Sequence, residues 1–272
     1  MYQLIAFDMD GTLLDSGKRI LPDSRTAIAK AARAGKIVVL NTGRCLAELE
    51  EFLRLIPEVR YLNCASGAMV YDLKEQKTLY SSFLDEKTVV KLLSLAKLET
   101  AMPHILLEKS IVQKSHWEHM ERFGMAVYQA QFDRVAEKWD DIARTYADQP
   151  FSAAKVNIYH TSPESRARTE QRVRDAGLPV AMVRAETTSL ELSALGINKG
   201  VGLEKLCQIL DLPVNRTIVV GDADNDLDAF KTAGLAVAMG NAKPSVKAAA
   251  DVVVADCDHG GCAEAIEKYL LL

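Results

Sequence analysis

The pattern of apolar and polar positions predicts alternating strands and helices near the start of the chain. A short apolar run, Leu4–Phe7, precedes a helical pattern that begins at Pro22 and ends at Gly35. Two further apolar runs follow, at residues 37–40 and 61–65. Strands that alternate with helices in this way are typical of a parallel sheet covered by helices.

The C-terminal part of the chain repeats the same alternation. Apolar residues within 203–210 have the spacing of an amphipathic helix, and short apolar runs follow at 217–220, 235–239 and 252–254. A helical stripe at 262–270 closes the chain. We therefore predict an α/β fold in which both ends of the chain form one doubly wound parallel sheet.

The middle of the chain has a different pattern. Helical stripes at residues 89–96 and 135–146 are separated by mixed, strand-like segments such as 154–159. A separate unit of roughly 100 residues has the size of one domain. We predict a sheet domain formed by residues 1–82 and 186–272, and an inserted α+β domain of residues 83–185.

Composition narrows the class of protein. The 33 basic and 37 acidic residues give a net charge of −4, which excludes a generic basic nucleic-acid binder. No apolar run approaches the roughly 18 residues that span a bilayer, and the N-terminus resembles no export signal. The five cysteines include no CxxC pair. We therefore expect a soluble protein of the reducing cytoplasm, without nucleic-acid or membrane partners.

Two aspartates, Asp8 and Asp10, follow the first predicted strand directly. Alternate residues of an extended chain share a face, so both carboxylates are expected to point into one crevice. At about 4 Å and an effective dielectric constant of roughly 20, two such charges repel by about 4 kcal/mol. We therefore expect a cation or a shared proton there, and an all-oxygen site favours Mg²⁺.

A second acidic cluster lies within residues 221–228, directly after the predicted strand 217–220. Its carboxylates are expected to converge with the first pair, because the carboxyl ends of parallel strands meet at one edge of a sheet. For Asp224 and Asp228 alone, capping of the following helix is an equally good interpretation. The capping of one helix does not explain why the whole cluster contains so many acidic residues.

Two further positions could bind an anion at the same edge. Thr42 and Gly43 follow the strand 37–40, and their hydroxyl and amide groups could hold a phosphate, particularly if a helix begins at about Leu46. An ordinary strand-to-helix turn explains Thr42 equally well when it is considered alone. Lys199 begins the predicted helix that contains 203–210, although most lysines are solvated surface charges.

Three weaker signals favour ordinary structural interpretations. Residues 257–262 contain two cysteines and a histidine, but a closed zinc site needs four ligands. His116 and His119 lie three residues apart without a nearby acidic ligand, which is typical of surface residues. Four arginines between 166 and 174 are interleaved with acidic residues, and we interpret them as a solvated helix face.

Together the motifs resemble those of the haloacid dehalogenase-like hydrolase superfamily, in particular its Cof-type, sugar-phosphatase-like branch. In order, they are Asp8-Met9-Asp10-Gly11-Thr12, Thr42-Gly43-Arg44, Lys199-Gly200 and Gly221-Asp222-Ala223-Asp224-Asn225-Asp226. The resemblance spans the whole chain. It implies a Rossmann-like core and identifies residues 83–185 as the α/β cap domain of this branch. Ser66-Gly67-Ala68 departs from the family's frequent Asn-Gly-Ala, so a substrate contact at Ser66 is not carried over.

The resemblance implies a role for each matched residue. Asp8 would be the nucleophile, and Asp10 the general acid and base of two successive displacements. Mg²⁺ would be bound by the carboxylates of Asp8 and Asp222 and the backbone carbonyl of Asp10. Asp226 would hold these ligands in place without binding the ion itself. The phosphoryl oxygens would be held by Thr42, Gly43, Lys199 and Asn225.

The activity implied by the resemblance is an Mg²⁺-dependent phosphohydrolase with an aspartyl-phosphate intermediate. Its substrates would be small phosphorylated metabolites, such as a sugar phosphate, a nucleotide or a phosphorylated cofactor. Asp10 distinguishes the phosphatases and phosphomutases of the superfamily from its cation-pumping ATPases, which usually have threonine there. A phosphomutase acting on hexose phosphates and a non-catalytic metabolite-binding module are the alternatives. Both a monomer and a dimer are compatible with the sequence.

Overall fold

A computed structural model describes residues 1–184 and 187–272 of the chain. Its strands are β1 (Leu4–Phe7), β2 (Ile37–Asn41), β3 (Tyr61–Cys64), β4 (Met69–Asp72), β5 (Lys77–Ser81), β6 (Ala101–Leu106), β7 (Ser110–Gln113), β8 (Ala136–Trp139), β9 (Lys155–His160), β10 (Val180–Val183), β11 (Ser189–Ala194), β12 (Thr217–Gly221), β13 (Leu235–Ala238) and β14 (Val252–Val253). Its helices are α1 (Pro22–Arg33), α2 (Glu50–Leu53), α3 (Glu86–Ala96), α4 (Lys114–Trp117), α5 (Gln129–Val135), α6 (Ile142–Asp148), α7 (Pro163–Asp175), α8 (Lys199–Ile209), α9 (Leu227–Thr232), α10 (Pro244–Ala249) and α11 (Gly261–Ala265). None of the helices in these two ranges is long and apolar enough to cross a membrane.

The larger sheet contains eight strands in the order β14-β13-β12-β1-β2-β3-β4-β5. Pairing is parallel from β14 to β3, while β4 and β5 extend the sheet in antiparallel fashion. Strand β1 lies between β12 and β2, and its four side chains are fully buried. A strand covered on both faces reads as a continuous apolar run, which is the pattern of Leu4–Phe7. The predicted α/β fold with a doubly wound parallel sheet is confirmed.

Helix α1 shows how local sequence signals set the bounds of an element. It begins at Pro22, whose fixed φ suits the first helical position, and an acidic residue lies in its first turn. Ala27, Ile28 and Ala31 form its buried stripe. Gly35 follows the helix with a φ of +75°, a left-handed conformation that favours glycine. The helix predicted from Pro22 to Gly35 is confirmed.

The chain divides into two compact units. The first unit comprises Met1–Gly43, Leu49–Ser81 and Asn198–Leu272, and the second comprises Arg44–Glu48 and Ser82–Ile197. The boundary predicted between residues 185 and 186 lies outside the described residues. Strand β11, which the prediction assigned to the first unit, pairs with β9 and β10 of the second unit, because its apolar side chains pack in the core there.

The second unit contains a six-stranded sheet in the order β10-β11-β9-β6-β7-β8. One apolar cluster, which includes Val156, Ile158, Leu190 and Leu192, packs residues of α3, α6 and α7 against this sheet. Alternate residues of β9 and β11 therefore face these helices.

The helical stripe predicted over residues 135–146 is wrong for residues 136–139 and confirmed for residues 142–146. Helix α5 ends at Val135, and the next four residues form β8, which pairs with β7 in parallel. A new helix, α6, begins after Asp141, whose side chain accepts hydrogen bonds from the amides of Ala143 and Arg144. The apolar residues have helical spacing, but the strand partner β7 and the cap at Asp141 determine the backbone.

The arginines of α7 are ion-paired within the second unit. Glu99 accepts hydrogen bonds from Arg168 and Arg172, with shortest N–O distances of 2.6 Å to each. Glu170 contacts Arg174 and Arg184 in a similar arrangement. Arg168, Arg172 and Arg174 are thus neutralised by carboxylates of the same unit, and their side chains remain 33–58% exposed on the helix face that we predicted to be solvated.

We expect a Glu99→Gln variant to lose about 1–3 kcal/mol of unfolding free energy at pH 7. The hydrogen bonds from Arg168 hold the pKa of Glu99 at about 2, below its usual 4.5. A carboxyl with a lowered pKa stabilises the fold above pH 4.5, and this contribution is lost as the pH falls through 2. Urea denaturation at pH 7 and pH 3 should therefore show a difference from wild type that shrinks in acid. Glu118→Gln, an exposed change, is the control, and an equal difference at both pH values would contradict the assignment.

Candidate active site

The carboxyl end of β1 delivers Asp8 into the interior of the first unit. The Asp8 amide donates a hydrogen bond to the carbonyl of Val220 at 3.0 Å, which continues the pairing of β1 with β12 beyond the strand. The chain then turns at Gly11, where φ is +78°. A Cβ atom at this position would lie 2.5 Å from Asp222 Oδ2, so the close approach of the two acidic segments requires glycine.

The end of β12 carries the second acidic segment. Asp222 accepts a hydrogen bond from the Thr12 hydroxyl at 2.9 Å, which joins the two segments directly. Asp226 folds back, and its Oδ2 accepts the amide hydrogens of Asp222 and Ala223, both at 3.1 Å. A side chain at Gly221 would overlap the Asp226 carboxyl group. The tight turn after β12 therefore depends on both the glycine and the aspartate.

Lys199 lies between the two acidic segments. Its Nζ atom is 2.6 Å from Asp8 Oδ1 and 2.7 Å from Asp226 Oδ1, and the side chain is fully buried. The residue begins α8, whose cap is the Asn198 side chain. The Asn63 amide donates to the Lys199 carbonyl at 2.8 Å, which anchors the start of α8 to β3. The lysine is thus held rigidly as a counter-ion for two carboxylates.

Three carboxylates form a group that could bind a metal ion. Asp8, Asp222 and Asp226 each place one oxygen within 4.8 Å of the other two. Oxygen-only ligand sets suit hard cations such as Mg²⁺. Both oxygens of Asp226 are engaged, one by Lys199 and one by backbone amides. Asp8 and Asp222 are therefore the carboxylates that fit direct metal binding, and Asp226 fits a supporting role.

The electrostatics of this group favour a bound cation. Burial raises the pKa of Asp8, against the opposing effect of Lys199, and the charges of Asp226 and Asp222 raise it further. Burial also raises the pKa of Asp222 to about 6, although the Thr12 hydrogen bond opposes this. One lysine does not neutralise three carboxylates. A divalent cation would supply the missing positive charge and stabilise the ionised forms.

Asp10 lies at the edge of the site. Its Oδ1 atom is 2.7 Å from Lys18 Nζ, and both side chains are about 30% exposed. Lys18 adopts a left-handed backbone with φ of +59°, in a turn closed by hydrogen bonds between Asp15 and Arg19. Sequence reasoning missed Lys18. Gly17 preceding it indicated a turn, but nothing in the spacing indicated that the lysine returns to Asp10.

The predicted phosphate ligands Thr42, Gly43 and Asn225 lie in the first unit, on the segments that follow β2 and β12. Thr42 follows β2 and is buried, and its amide donates to the Asn63 carbonyl at 2.8 Å. Gly43 is the next residue. Asn225 lies in the 3₁₀ turn Asp224–Asp226, and its Oδ1 atom is buried without a hydrogen-bond partner in the described part of the chain. The roles of Thr42, Gly43 and Asn225 stay predictions.

Two predicted features near these residues differ in the structure. The helix expected from Leu46 is only a 3₁₀ turn, Leu46–Glu48, followed by the four-residue α2. The Glu48 side chain accepts the amide hydrogen of Cys45 at 2.9 Å, at the start of this turn. Asp224 is ion-paired with Lys243 at the surface, so it is not part of the carboxylate group.

Residues of the candidate zinc segment 257–262 make other contacts. Cys257 and Cys262 are buried free thiols, and Cys262 donates a hydrogen bond to the Thr12 carbonyl at 3.3 Å. His259 is exposed and contacts Asp256. Over residues 1–184 and 187–272, Asp8, Asp222 and Asp226 form the one group of three or more such ligands. Residues 257–260 form turns and α11 begins at Gly261, so the predicted loop that leads into a helix is confirmed.

Comparison with known proteins identifies the family. A family model described as haloacid dehalogenase-like hydrolase matches residues 5–266. The 5-amino-6-(5-phospho-D-ribitylamino)uracil phosphatase YcsE of Bacillus subtilis is 27% identical, over 99% of this chain and 96% of that protein. The pyridoxal phosphate phosphatase YbhA of Escherichia coli is 26% identical, over 99% of both chains.

The fold is shared with solved structures. A haloacid dehalogenase-like hydrolase from Bacteroides thetaiotaomicron has a TM-score of 0.85 at 26% identity, over 98% of this chain and 99% of that chain. The prediction of a Cof-type phosphatase is confirmed by these matches. Because the family model spans nearly the whole sequence, the chain belongs to the haloacid dehalogenase-like hydrolases, and within that family it is a phosphatase.

Proposed function

We propose that this phosphatase hydrolyses monoesters of small phosphorylated metabolites through an aspartyl-phosphate on Asp8, with Mg²⁺ as its cofactor. The observation that carries the proposal is the buried group of Asp8, Asp222 and Asp226, with ligand atoms within 4.8 Å and Lys199 bonded to two of them. The relatives support the substrate class, since the names of two of them specify a ribitylaminouracil phosphate and pyridoxal phosphate.

Asp8 is suited to the role of nucleophile. Lys199 fixes one of its oxygens at 2.6 Å, which orients the other oxygen for attack. In the first displacement an Asp8 oxygen attacks phosphorus, and the bond from phosphorus to the ester oxygen breaks. Asp10, protonated at this stage, gives its proton to the departing oxygen, which leaves as an alcohol.

The second displacement regenerates the enzyme. A water molecule gives a proton to Asp10 as its oxygen attacks the same phosphorus, and the bond from phosphorus to Asp8 breaks. Inorganic phosphate leaves, Asp8 regains its carboxylate, and Asp10 has its proton again. Thr42, Gly43, Lys199 and Asn225 would hold the phosphoryl oxygens through both steps.

The oxygen atoms that this site offers are the kind of ligand that Mg²⁺ prefers. Asp8 and Asp222 would bind the ion through carboxylate oxygens, together with the backbone carbonyl of Asp10, and Asp226 would hold the Asp222 segment in place. When bound, the ion supplies positive charge that offsets repulsion between the carboxylates and a dianionic phosphate ester. The odd number of cysteines and the lack of a CxxC pair in the sequence support the expected reducing, cytoplasmic setting.

Turnover of p-nitrophenyl phosphate, pyridoxal 5′-phosphate and glucose 6-phosphate, with Mg²⁺ or with EDTA, tests this proposal. We expect hydrolysis in Mg²⁺, a fall of about 100-fold or more in EDTA, and recovery when excess Mg²⁺ is added back. Equal rates with and without EDTA would contradict the metal requirement. ³¹P NMR of a hexose 1-phosphate separates the alternative, because conversion to the 6-phosphate without free phosphate would identify a phosphomutase. Tight binding without turnover would identify a metabolite-binding module.

A further inference from the structure

A pair of buried asparagines lies beside the first turn of α8. Along β2 and β3, Val39 and Tyr61 belong to an apolar cluster that also contains residues of α8. Alternate residues of a strand share a face, so Asn41 and Asn63, two positions further along, continue that face toward the carboxyl ends of the strands. Both asparagines are fully buried. A polar pair in such a place costs solvation unless its groups find partners.

Asn63 joins the end of β2 to the start of α8. Its Nδ2 group donates to Asn41 Oδ1 at 2.6 Å and to the Lys199 carbonyl at 2.8 Å. A backbone carbonyl only accepts hydrogen bonds, so Lys199 fixes the orientation of the Asn63 amide. Both hydrogens of the amide are then engaged. The asparagine thus holds the backbone of the lysine whose Nζ atom contacts Asp8 and Asp226.

This orientation leaves the opposite atoms of the pair without partners. Asn63 Oδ1 and Asn41 Nδ2 are buried and make no hydrogen bond to any described residue. Gly202 of α8 packs closely against the first of them, since a Cβ atom there would lie 2.0 Å from Asn63 Oδ1. A pair that served only to fill the core would be more favourable as two apolar residues. The hydrogen bond to Lys199 is what the asparagine supplies and an apolar residue cannot.

The turn after β3 contacts the same two segments. Ala65 and Ser66 have φ of +49° and +58°, a left-handed conformation that is uncommon for residues other than glycine. The Ser66 amide donates to the Thr42 carbonyl at 2.9 Å. A Cβ atom at Gly67 would lie 2.0 Å from the carbonyl oxygen of Asn198, the cap of α8. Strained backbone persists where the surrounding structure over-determines it, and it is common at functional sites.

We propose that the segment 63–67 positions Lys199 and Thr42 relative to each other, with Asn63 as the positioning residue for Lys199. This inference rests on the proposed function, in which Lys199 and Thr42 hold the phosphoryl oxygens. Asn63 is fully buried, so it acts through Lys199 and not through contact with the substrate. Its side chain holds the Lys199 backbone, and its own carbonyl accepts the Thr42 amide at 2.8 Å. Displacement of such groups by as little as about 1 Å lowers reaction rates strongly.

An Asn63→Leu variant of the full chain tests the proposal, because leucine has nearly the shape of asparagine and no N–H donor. Two quantities are measured in saturating Mg²⁺: kcat for p-nitrophenyl phosphate, and the dissociation constant of inorganic phosphate by calorimetry. We expect kcat to fall about tenfold and the dissociation constant to rise about threefold or more. These losses stay below those of removing Lys199 itself, because Asp8 and Asp226 still contact its ammonium group.

Val70→Ala is the matched control, because Val70 is the direct neighbour of Asn63 on β4. Val70 is fully buried in the apolar cluster that contains residues of α8, so its truncation loosens the same packing and removes no donor. Well below the unfolding midpoint, kcat and the dissociation constant should both keep their wild-type values. If Val70→Ala reproduced the losses of Asn63→Leu, those losses would reflect loosened packing, and the proposal would be overturned.

A double variant asks whether Asn63 acts through Lys199. In a Lys199→Met background, Asn63→Leu should not weaken phosphate binding further, because the group that it positions is gone. An equal weakening in both backgrounds would overturn the inference, as would a folded Asn63→Leu variant with wild-type kcat and phosphate affinity. Asn63→Ala replaces Asn63→Leu if leucine prevents folding, and the single variants decide the question if the double variant does not fold. Absence of all phosphatase activity in wild type would instead overturn the proposed function.

Discussion

An Asp8→Asn variant is expected to lose kcat by a factor on the order of 10⁴ or more. The amide cannot form the bond to phosphorus on which both displacements depend. The fold should tolerate the change, because Lys199 keeps its ion pair with Asp226 at 2.7 Å. Steady-state turnover of p-nitrophenyl phosphate in saturating Mg²⁺ measures the effect, and circular dichroism and the unfolding midpoint establish that the variant is folded.

The matched control for this prediction is Asp148→Asn, which removes one exposed carboxylate from the end of α6. It should retain wild-type kcat, since it leaves the carboxylate group untouched. A folded Asp8→Asn variant with a tenth or more of wild-type kcat would show that Asp8 is not the nucleophile. The same result would leave the family assignment intact, because that rests on the whole-chain match.

A Lys199→Met variant is expected to lose about 3–5 kcal/mol of unfolding free energy in metal-free buffer. The change leaves Asp8 and Asp226 buried with no cation bonded to either, and methionine cannot replace the ammonium group. We also expect the loss to be smaller in millimolar Mg²⁺, because ion binding to the native state partly replaces the missing charge. Urea denaturation with and without Mg²⁺ measures both quantities.

Lys231→Met is the control for the Lys199 change. Lys231 is ion-paired with Asp228, but its side chain is 76% exposed, so the loss should stay under about 1 kcal/mol. If Lys199→Met were no more destabilising than Lys231→Met, the pair of short contacts to Asp8 and Asp226 would not stabilise the protein as we infer.

The geometry of a parallel sheet explains much of what the sequence could predict about the fold and the site. The run Leu4–Phe7 and the run that became β12 end in acidic residues, and parallel strands present such ends at one edge. The pairing of β1 with β12, however, joins residues more than 200 positions apart. Periodicity does not specify that neighbour relation, which the structure establishes.

Features that depend on tertiary partners escaped prediction. Residues 136–139 became a strand because β7 provides an edge, although their apolar spacing continues that of a helix. Strand β11 joined the second unit because its apolar side chains complete the core there. The contact of Lys18 with Asp10 arises from a left-handed turn, whose side-chain direction cannot be read from spacing. For β8 and β11 a long-range contact decided the outcome, while for Lys18 the local turn did.

The stereochemical course at phosphorus tests the central claim most directly. A phosphorothioate monoester of defined oxygen-isotope chirality, hydrolysed in isotopically labelled water, yields thiophosphate whose configuration can be read by ³¹P NMR. Attack by Asp8 followed by attack of water comprises two in-line displacements, so the account predicts overall retention of configuration. Inversion would mean that water attacks the ester in a single step, and it would contradict an aspartyl-phosphate on Asp8.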